Sequence, residues 1–271
     1  MNQSVFKFIK IRIQILGINI ANTFNIETAF PAENWANILS TAFYTASYLL
    51  FLNIIFGNVN SLAGYSKNDM LFFTIVGQAS FYTLYTWSYD NLQNLIQSVH
   101  QGELDLLLTK PIPTLFYVTT RTFSLVRLVR DAFLPITMIS LLIDWSSLDL
   151  SLGRVLVGIV IFVLGQWIIH VMQFLLVLPA FWNGQSQALL RLSYTLTNPN
   201  LPLQGLSRLW RIFLTTVLPI CVPVAASVSV MLGKSDAILT IIGVLALAIF
   251  ATVARVAAWQ KALAAYNSAS S

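Results

Sequence analysis

The chain has 271 residues, of which 57% are hydrophobic and only 9% charged, with a net charge of +5. A soluble domain carries about 25% charged residues, and one with so few would expose large apolar patches and aggregate. An aromatic content of 13% excludes a disordered chain. The basic residues flank apolar runs, which reads as a membrane-topology signal and not as a nucleic-acid footprint. The single cysteine, Cys221, excludes a disulfide within the chain and leaves the redox compartment open.

In chain order, residues 1–33 form an N-terminal segment. Lysine and arginine are mixed into the apolar run 5–18 (VFKFIKIRIQILGI), so it does not read as a cleavable leader. Lys7, Lys10, Gln14 and Gly17 fall on one helical stripe, which predicts a helix lying on the membrane surface. Ile9, Ile11, Ile13 and Ile15 also alternate with polar residues, as in a strand, but nothing nearby offers to pair with one.

A membrane helix needs roughly 20 apolar residues. Uncharged runs place candidate spans at about 36–57, 70–89, 155 to near Pro179, 212–233 and 237–254. A further span over 123–143 includes Arg127, Arg130 and Asp131 at one end. Arg127 and Asp131 stand four apart and are expected to pair on one helix face. The fold class is therefore an all-α integral membrane protein with about six transmembrane helices. With six spans both termini share a side, which receives twelve of the fifteen lysines and arginines. The positive-inside rule then puts both termini in the cytoplasm. Asp144, Trp145 and Asp149 mark an outer boundary. The stretch 181–211 is too polar for an obvious span and reads as a cytoplasmic loop with a surface helix. The alternative makes 181–198 a short fifth span and 200–232 a re-entrant outer hairpin. Pro199, Pro202, Pro219 and Pro223 suit such broken helices, provided protein or water partners satisfy the freed backbone groups.

Residues 91–113 (NLQNLIQSVHQGELDLLLTKPIP) follow the second span. Leu92, Leu95, Ile96 and Val99 have amphipathic-helix spacing, and Gly102 is placed to cap that helix. Leu104, Leu107 and Leu108 make a second short stripe beside Glu103 and Asp105, and Pro111 and Pro113 end it. Such a pair suits docking into a groove on a soluble partner; it equally suits anchoring the loop on lipid.

The string GELDLLLTKPIP resembles the signature G-E-L-D-x-L-L-x-K/R-P of the ABC-2 type permeases, the membrane subunits of ATP-binding cassette exporters. VLPICVPVAASVSVMLG (217–233) is similar to that family's late proline-containing segment, and WQKALAAYNSASS to its tail. The chain departs at Val222–Ala226, where relatives often carry an aromatic pair before the proline. The resemblance implies a type-2 exporter permease architecture with an N-terminal interfacial helix, the whole chain 1–271 forming one permease domain. It implies a permease without its own ATPase, half of a substrate path in the cell's inner (plasma) membrane, paired with a second identical or related permease. A separate nucleotide-binding ATPase subunit would hold ATP and magnesium. Gly102, Glu103, Leu104, Asp105, Leu108, Lys110 and Pro111 would form or position the element that couples to that ATPase.

The residues agree that the ATPase is elsewhere. Gly233-Lys234-Ser235 ends like a phosphate-binding loop, but the first glycine of that pattern is replaced by Val228 and no strand precedes it. His100 and His170 have no cluster of cysteine or carboxylate partners in sequence, so no metal site is expected. Gln78, Arg127, Asp131 and His170 mark either a transport pathway or contacts between helices; Ser80, Tyr82 and Tyr85 have the same two readings. Two other classes stay open. An ion-coupled secondary transporter predicts ionisable groups deep in the spans and an internal repeat, and a non-transporting scaffold predicts no dependence on an ATPase.

Overall fold

The computed structural model describes residues 2–29, 31–183, 186–196, 207–217 and 219–266. Among them the chain is helical, with one isolated bridge between Leu62 and Tyr65 and no longer strand. An apolar chain in hydrocarbon has no water to bond its backbone, so it forms helices that satisfy their own N–H and C=O groups. Among the described residues, Asn34–Asn58, Leu152–Trp182 and Ala237–Ala265 are long and apolar enough to cross a membrane.

The N-terminal segment is one helix, α1 (Asn2–Thr28), so the strand reading of Ile9–Ile15 does not hold. The stripe that included Lys7 lies partly outside the described side chains. Helix α2 (Pro31–Asn58) follows. Helix α3 (Lys67–Leu84) runs through a π-helical turn, Tyr85–Tyr89, into α4 (Asp90–His100). The second span and the amphipathic helix after it are therefore one rod, about 50 Å long at 1.5 Å per residue. Short helices α5 (Leu104–Leu108), α6 (Thr114–Thr120) and α7 (Leu125–Arg127) come next. A second π turn, Leu128–Ala132, joins α7 to α8 (Phe133–Ser140). The span expected over 123–143 is helical only from Leu125 to Ser140, about 24 Å, short of a hydrocarbon core of about 30 Å.

Helix α9 (Leu152–Val177) ends beside Pro179, as expected, and α10 (Ala180–Asn183) continues from it. Helix α11 (Gln187–Leu196) precedes α12 (Arg208–Ile212), which extends as a π turn to Val217. A further π turn (Val222–Ala226) leads into α13 (Ser227–Met231), and α14 (Ala237–Ala265) closes the described chain.

Three helices start at one end of the bundle, each with a side chain that accepts from a first-turn N–H: Ser66 for α3, Ser151 for α9 and Asp236 for α14. Lys234 knits that end together, bonding the Gly64 carbonyl at 2.9 Å and Asp69 at 3.0 Å. The segment 91–113 lies at the opposite end. Helix α9 is the central element, packed against α14, α13, α11 and α3. Helix α2 is peripheral, lying along α8.

The structure corrects the fifth span. An unbroken helix over 212–233 is not formed, because the chain turns at 219–221, where Pro219 and Pro223 remove backbone donors. Both arms of this break belong to the Lys234 end. Leu214 packs on a cluster containing Tyr65, Phe73 and Ile143. On the other arm, a Cβ at Gly165 would lie 2.6 Å from Pro223 Cα, and one at Gly158 would lie 2.3 Å from Met231 Cγ. These glycines let α9 and residues 222–231 approach closely. Helix α11, by contrast, rises from Leu190, in a cluster with Leu95 and Phe181, to Tyr194, whose ring lies 4.7 Å from that of Phe81. The break at 219–221 matches the broken-helix alternative, whereas α11, at ten residues or about 15 Å, is too short to cross a hydrocarbon core by itself. The readings on Pro199, Pro202 and residues 267–271 fall outside the described residues.

Candidate functional site

Three features at the 91–113 end carry the chemistry. The first is the segment 91–113 itself. Leu92, Leu95, Ile96 and Val99 are buried against Val118, Phe174, Val177 and Trp259 of the same chain. The amphipathic stripe is therefore used internally and is not free to dock. Gly102 adopts φ +72°, the left-handed conformation that ends α4 and that a side chain disfavours. Leu104 and Leu107 are buried in the same cluster and pin α5 down. What α5 and its flanks expose is Glu103, Leu106, Leu108, Lys110 and Pro111, with Leu106 69% exposed. Lys110 Nζ stands 4.5 Å from the centroid of the Tyr117 ring and 3.4 Å from its hydroxyl. Asp105 is half-buried beside Tyr266. Burial first, then that carboxylate, push the Tyr266 phenol above its usual range. Asp105 thus faces the last helix, whereas Glu103 faces outward.

The second feature is a set of ion pairs where α1, α2, α4 and α7 meet. Arg127 is bonded to Asp90 at 2.8 Å and Glu27 at 3.3 Å, and its guanidinium lies 4.6 Å from the Tyr85 ring centroid. Ser124, which caps α7, donates its hydroxyl to Glu27. Arg130 grips Asp131 through two bonds of 2.6 and 2.8 Å and donates to Asn34 Oδ1 at 2.6 Å. The expected pairing of Arg127 with Asp131 is therefore replaced. The π turn Leu128–Ala132 breaks the i, i+4 register that would have placed them on one face. Asn91 adds a reciprocal pair, its amide bonding Thr122 N and Thr122 O at 2.9 and 2.8 Å.

The third feature is a polar seam between α9 and the rod formed by α3 and the π turn after it. Ser88 Oγ lies 2.8 Å from His170 Nδ1 and 3.0 Å from Gln173 Oε1, all three residues being 0% exposed. One step along, Gln166 Nε2 donates to Ser80 Oγ at 2.6 Å. The His170 ring is flanked by Trp87 and Trp167, with centroids at 4.3 and 5.7 Å. Arg255 of α14 sits 4.9 Å from the Trp167 ring centroid and 5.2 Å from that of Phe174, and donates to Thr119 Oγ1 at 3.0 Å. Gln78 is buried in α3 but is not part of these bonds.

Of the residues singled out from sequence, the structure groups Glu103, Leu108, Lys110 and Pro111 on one exposed surface. It places Gly102, Leu104 and Asp105 as their supports. It separates His170 from the Arg127 and Asp131 pairs, which involve other partners. Sequence reasoning noticed Gln166 and Gln173 beside His170 but missed Leu106, Glu27, Asp90, Ser88 and Arg255. For Glu27 and Asp90 a signal existed, since carboxylates next to an apolar span need partners. Among the described residues no group of three or more His, Cys, Asp or Glu could hold a metal.

A family model described as ABC-2 family transporter protein matches residues 42–270. No curated protein and no solved structure matches the chain.

Proposed function

The chain belongs to the ABC-2 family of transporter proteins, and on that premise we propose that it is the membrane subunit of an ATP-driven exporter, with its ATPase on a separate subunit. As a member of that family it is a membrane protein and a permease of an ABC-type transporter. The observation that carries the proposal is the exposed surface of Glu103, Leu106, Leu108, Lys110 and Pro111. Two exposed leucines on a five-residue helix, flanked by one acid and one base, suit a protein groove of mixed character. Their support suits the transmission of force. Leu104 and Leu107 are buried in one cluster with Phe181 and Trp259, and α4 is continuous with α3. A push on α5 is therefore delivered to α3 and α14 together, as a two-state rearrangement of packed helices requires.

In this reading ATP and magnesium belong to the partner subunit, and their hydrolysis is the partner's. A second permease, identical or related, completes the path, and residues 1–271 act as one permease domain. Arg12, Arg127, Arg130 and Arg255 lie with the 91–113 end, while Lys67, Arg154 and Lys234 hold the other. The positive-inside rule makes the 91–113 end cytoplasmic, and in this reading the membrane is the plasma membrane. Both the entry of α2 and the exit of α14 then lie on the cytoplasmic side, and the hairpin of 208–231 lies in the outer half.

The test is purification in mild detergent from its own cell, followed by an ATPase assay. Co-purification of a nucleotide-binding subunit and ATPase activity are expected, and recovery of the chain without one refutes the reading. Glu103→Lys with Leu106→Asp then probes the surface. This pair avoids Asp105, whose neighbour Tyr266 would confound the result. Loss of the ATPase with an unchanged melting temperature is expected; retention of full ATP-driven activity removes this surface from the docking role.

A further inference from the structure

The seam between α9 and the α3 rod does not close its own hydrogen bonds. His170 Nε2, Gln173 Nε2, Gln166 Oε1 and Arg255 Nε are buried and have no hydrogen-bond partner among the described residues. Reassigning protons does not cure this. Ser88 has one hydroxyl proton. If it goes to Gln173 Oε1, His170 Nδ1 must carry a proton and donate to Ser88, and Nε2 is left as a bare lone pair. If the Gln173 amide is turned over, its NH2 donates to Ser88, the Ser88 proton goes to His170 Nδ1, and Nε2 becomes an N–H. Both choices leave the far nitrogen of His170 and one Gln173 atom unserved. Gln166 is in the same position, since Ser80 engages one end of its amide and leaves the other.

The unserved groups have a pattern. Positions 166, 170 and 173 lie on one face of α9, over about 10 Å of helix axis. As placed they are two acceptors, on His170 and Gln166, and two donors, on Gln173 and Arg255. A buried polar group left without a partner is costly, most of all at membrane depth. Isolated charges of one sign would call for an ion. A mixed row of donors and acceptors calls for a molecule that both gives and takes hydrogen bonds and that repeats along the row.

We propose that this seam is a hydration site, in which a short file of water bridges His170, Gln173 and Gln166 between α9 and the α3 rod. Buried waters with two to four polar partners are ordinary constituents of folded proteins, and polar pairs between membrane helices are where they are needed. The flanking rings of Trp87 and Trp167 wall the seam, so the waters are internal and not part of the open solvent. The proposal does not depend on which partner drives the protein.

The chain has two histidines, exposed His100 and buried His170, so labelling with 15N-histidine gives two imidazoles to compare. His100→Gln assigns them. In the full chain in liposomes, solid-state NMR with magnetisation transferred from water to the imidazole nitrogens reads the hydration of each. The His170 signal is expected to grow, more slowly than that of exposed His100, because its water is buried. Its unprotonated nitrogen should carry the shift of a hydrogen-bond acceptor. A His170 signal that stays dark, with the shift of a free nitrogen, overturns the proposal. An acceptor shift without transfer from water also overturns it, because Arg255 or another protein donor then closes the bond. Gln173→Met supplies a second reading. A lowered melting temperature and slower transfer to His170 support the water file; a raised melting temperature shows that the amide had been an unserved burden in a dry seam.

Discussion

At the Lys234 end, the helices meet backbone to backbone. Residues 222–231 lie against Gly158 and Gly165 of α9, Tyr65 is 0% exposed, and Lys234 ties two loops with one ammonium. At the 91–113 end, beside an apolar cluster, the helices also meet through long polar side chains. Arg127 joins Glu27 to Asp90, Arg130 joins Asp131 to Asn34, and Arg255 lies between Trp167 and Phe174. Close glycine packing has one good arrangement and resists sliding. Joints of charged and aromatic side chains can exchange partners within a few ångströms at moderate cost. In the proposed reading, the end that exposes Leu106 and Leu108 is therefore the one that moves and the opposite end the one that holds.

The comparison can be broken most forcefully at Gly165. A side chain there meets the backbone of Pro223, which cannot move aside alone. Gly165→Val is expected to destabilise by about 3 kcal/mol or more, because over-packing displaces the hairpin. Thermal unfolding in detergent would read this, and a melting temperature equal to wild type would show that the close contact does not hold that end. Arg127→Ala should cost less, about 2 kcal/mol, since its side chain and those of Glu27 and Asp90 are 17–29% exposed and water partly compensates the carboxylates left behind. Arg127→Lys keeps the charge but not the two-carboxylate reach, and should fall between wild type and Arg127→Ala. An Arg127→Ala loss as large as that of Gly165→Val would mean that the two ends are equally rigid.

A finer probe is Gly102→Ala. The left-handed φ of +72° costs an L-residue about 1 kcal/mol. Because the cap orients α5, its effect on ATPase capture should exceed that of a neutral substitution at Gly57, where a Cβ meets nothing. Equal effects would separate the cap from the docking surface. The smallest effect is expected at Asp149. The Arg154 guanidinium holds this exposed carboxyl below its usual range, chiefly by hydrogen bonding. Its contribution is present above the ordinary aspartate value of about 3.9 and is lost as pH falls through the lowered one. Asp149→Asn should therefore leave the melting temperature at neutral pH nearly unchanged and remove only a slight extra loss in acid. A large drop at neutral pH would make the outer loops a stronger clamp than their exposure suggests.

Much of this was legible in the residues. The low charge and the spacing of uncharged runs located α2, α9 and α14, because crossing hydrocarbon demands length and apolarity that nothing else in a sequence imitates. Gly102 was legible as a helix stop and Leu104 as apolar. The docking stripe was misread, because the spacing of Leu92, Leu95, Ile96 and Val99 marks a buried face without naming what buries it. The pairing of Arg127 was misread for a related reason: i, i+4 rules assume an α turn, and the chain makes a π turn at Leu128–Ala132.

The sequence by itself determined the class of protein, the helical state and the family. These follow from composition, from periodicity and from one specific string, all of which are local. Tertiary structure alone decided which exposed residues remain on the 91–113 surface, that 208–231 is a broken hairpin and not a span, and that Ser88, His170 and Gln173 meet. Each of those depends on contacts between residues far apart in the chain. A single apolar or polar residue is compatible with lipid, with a neighbouring helix or with a partner, and only the packing chooses among them.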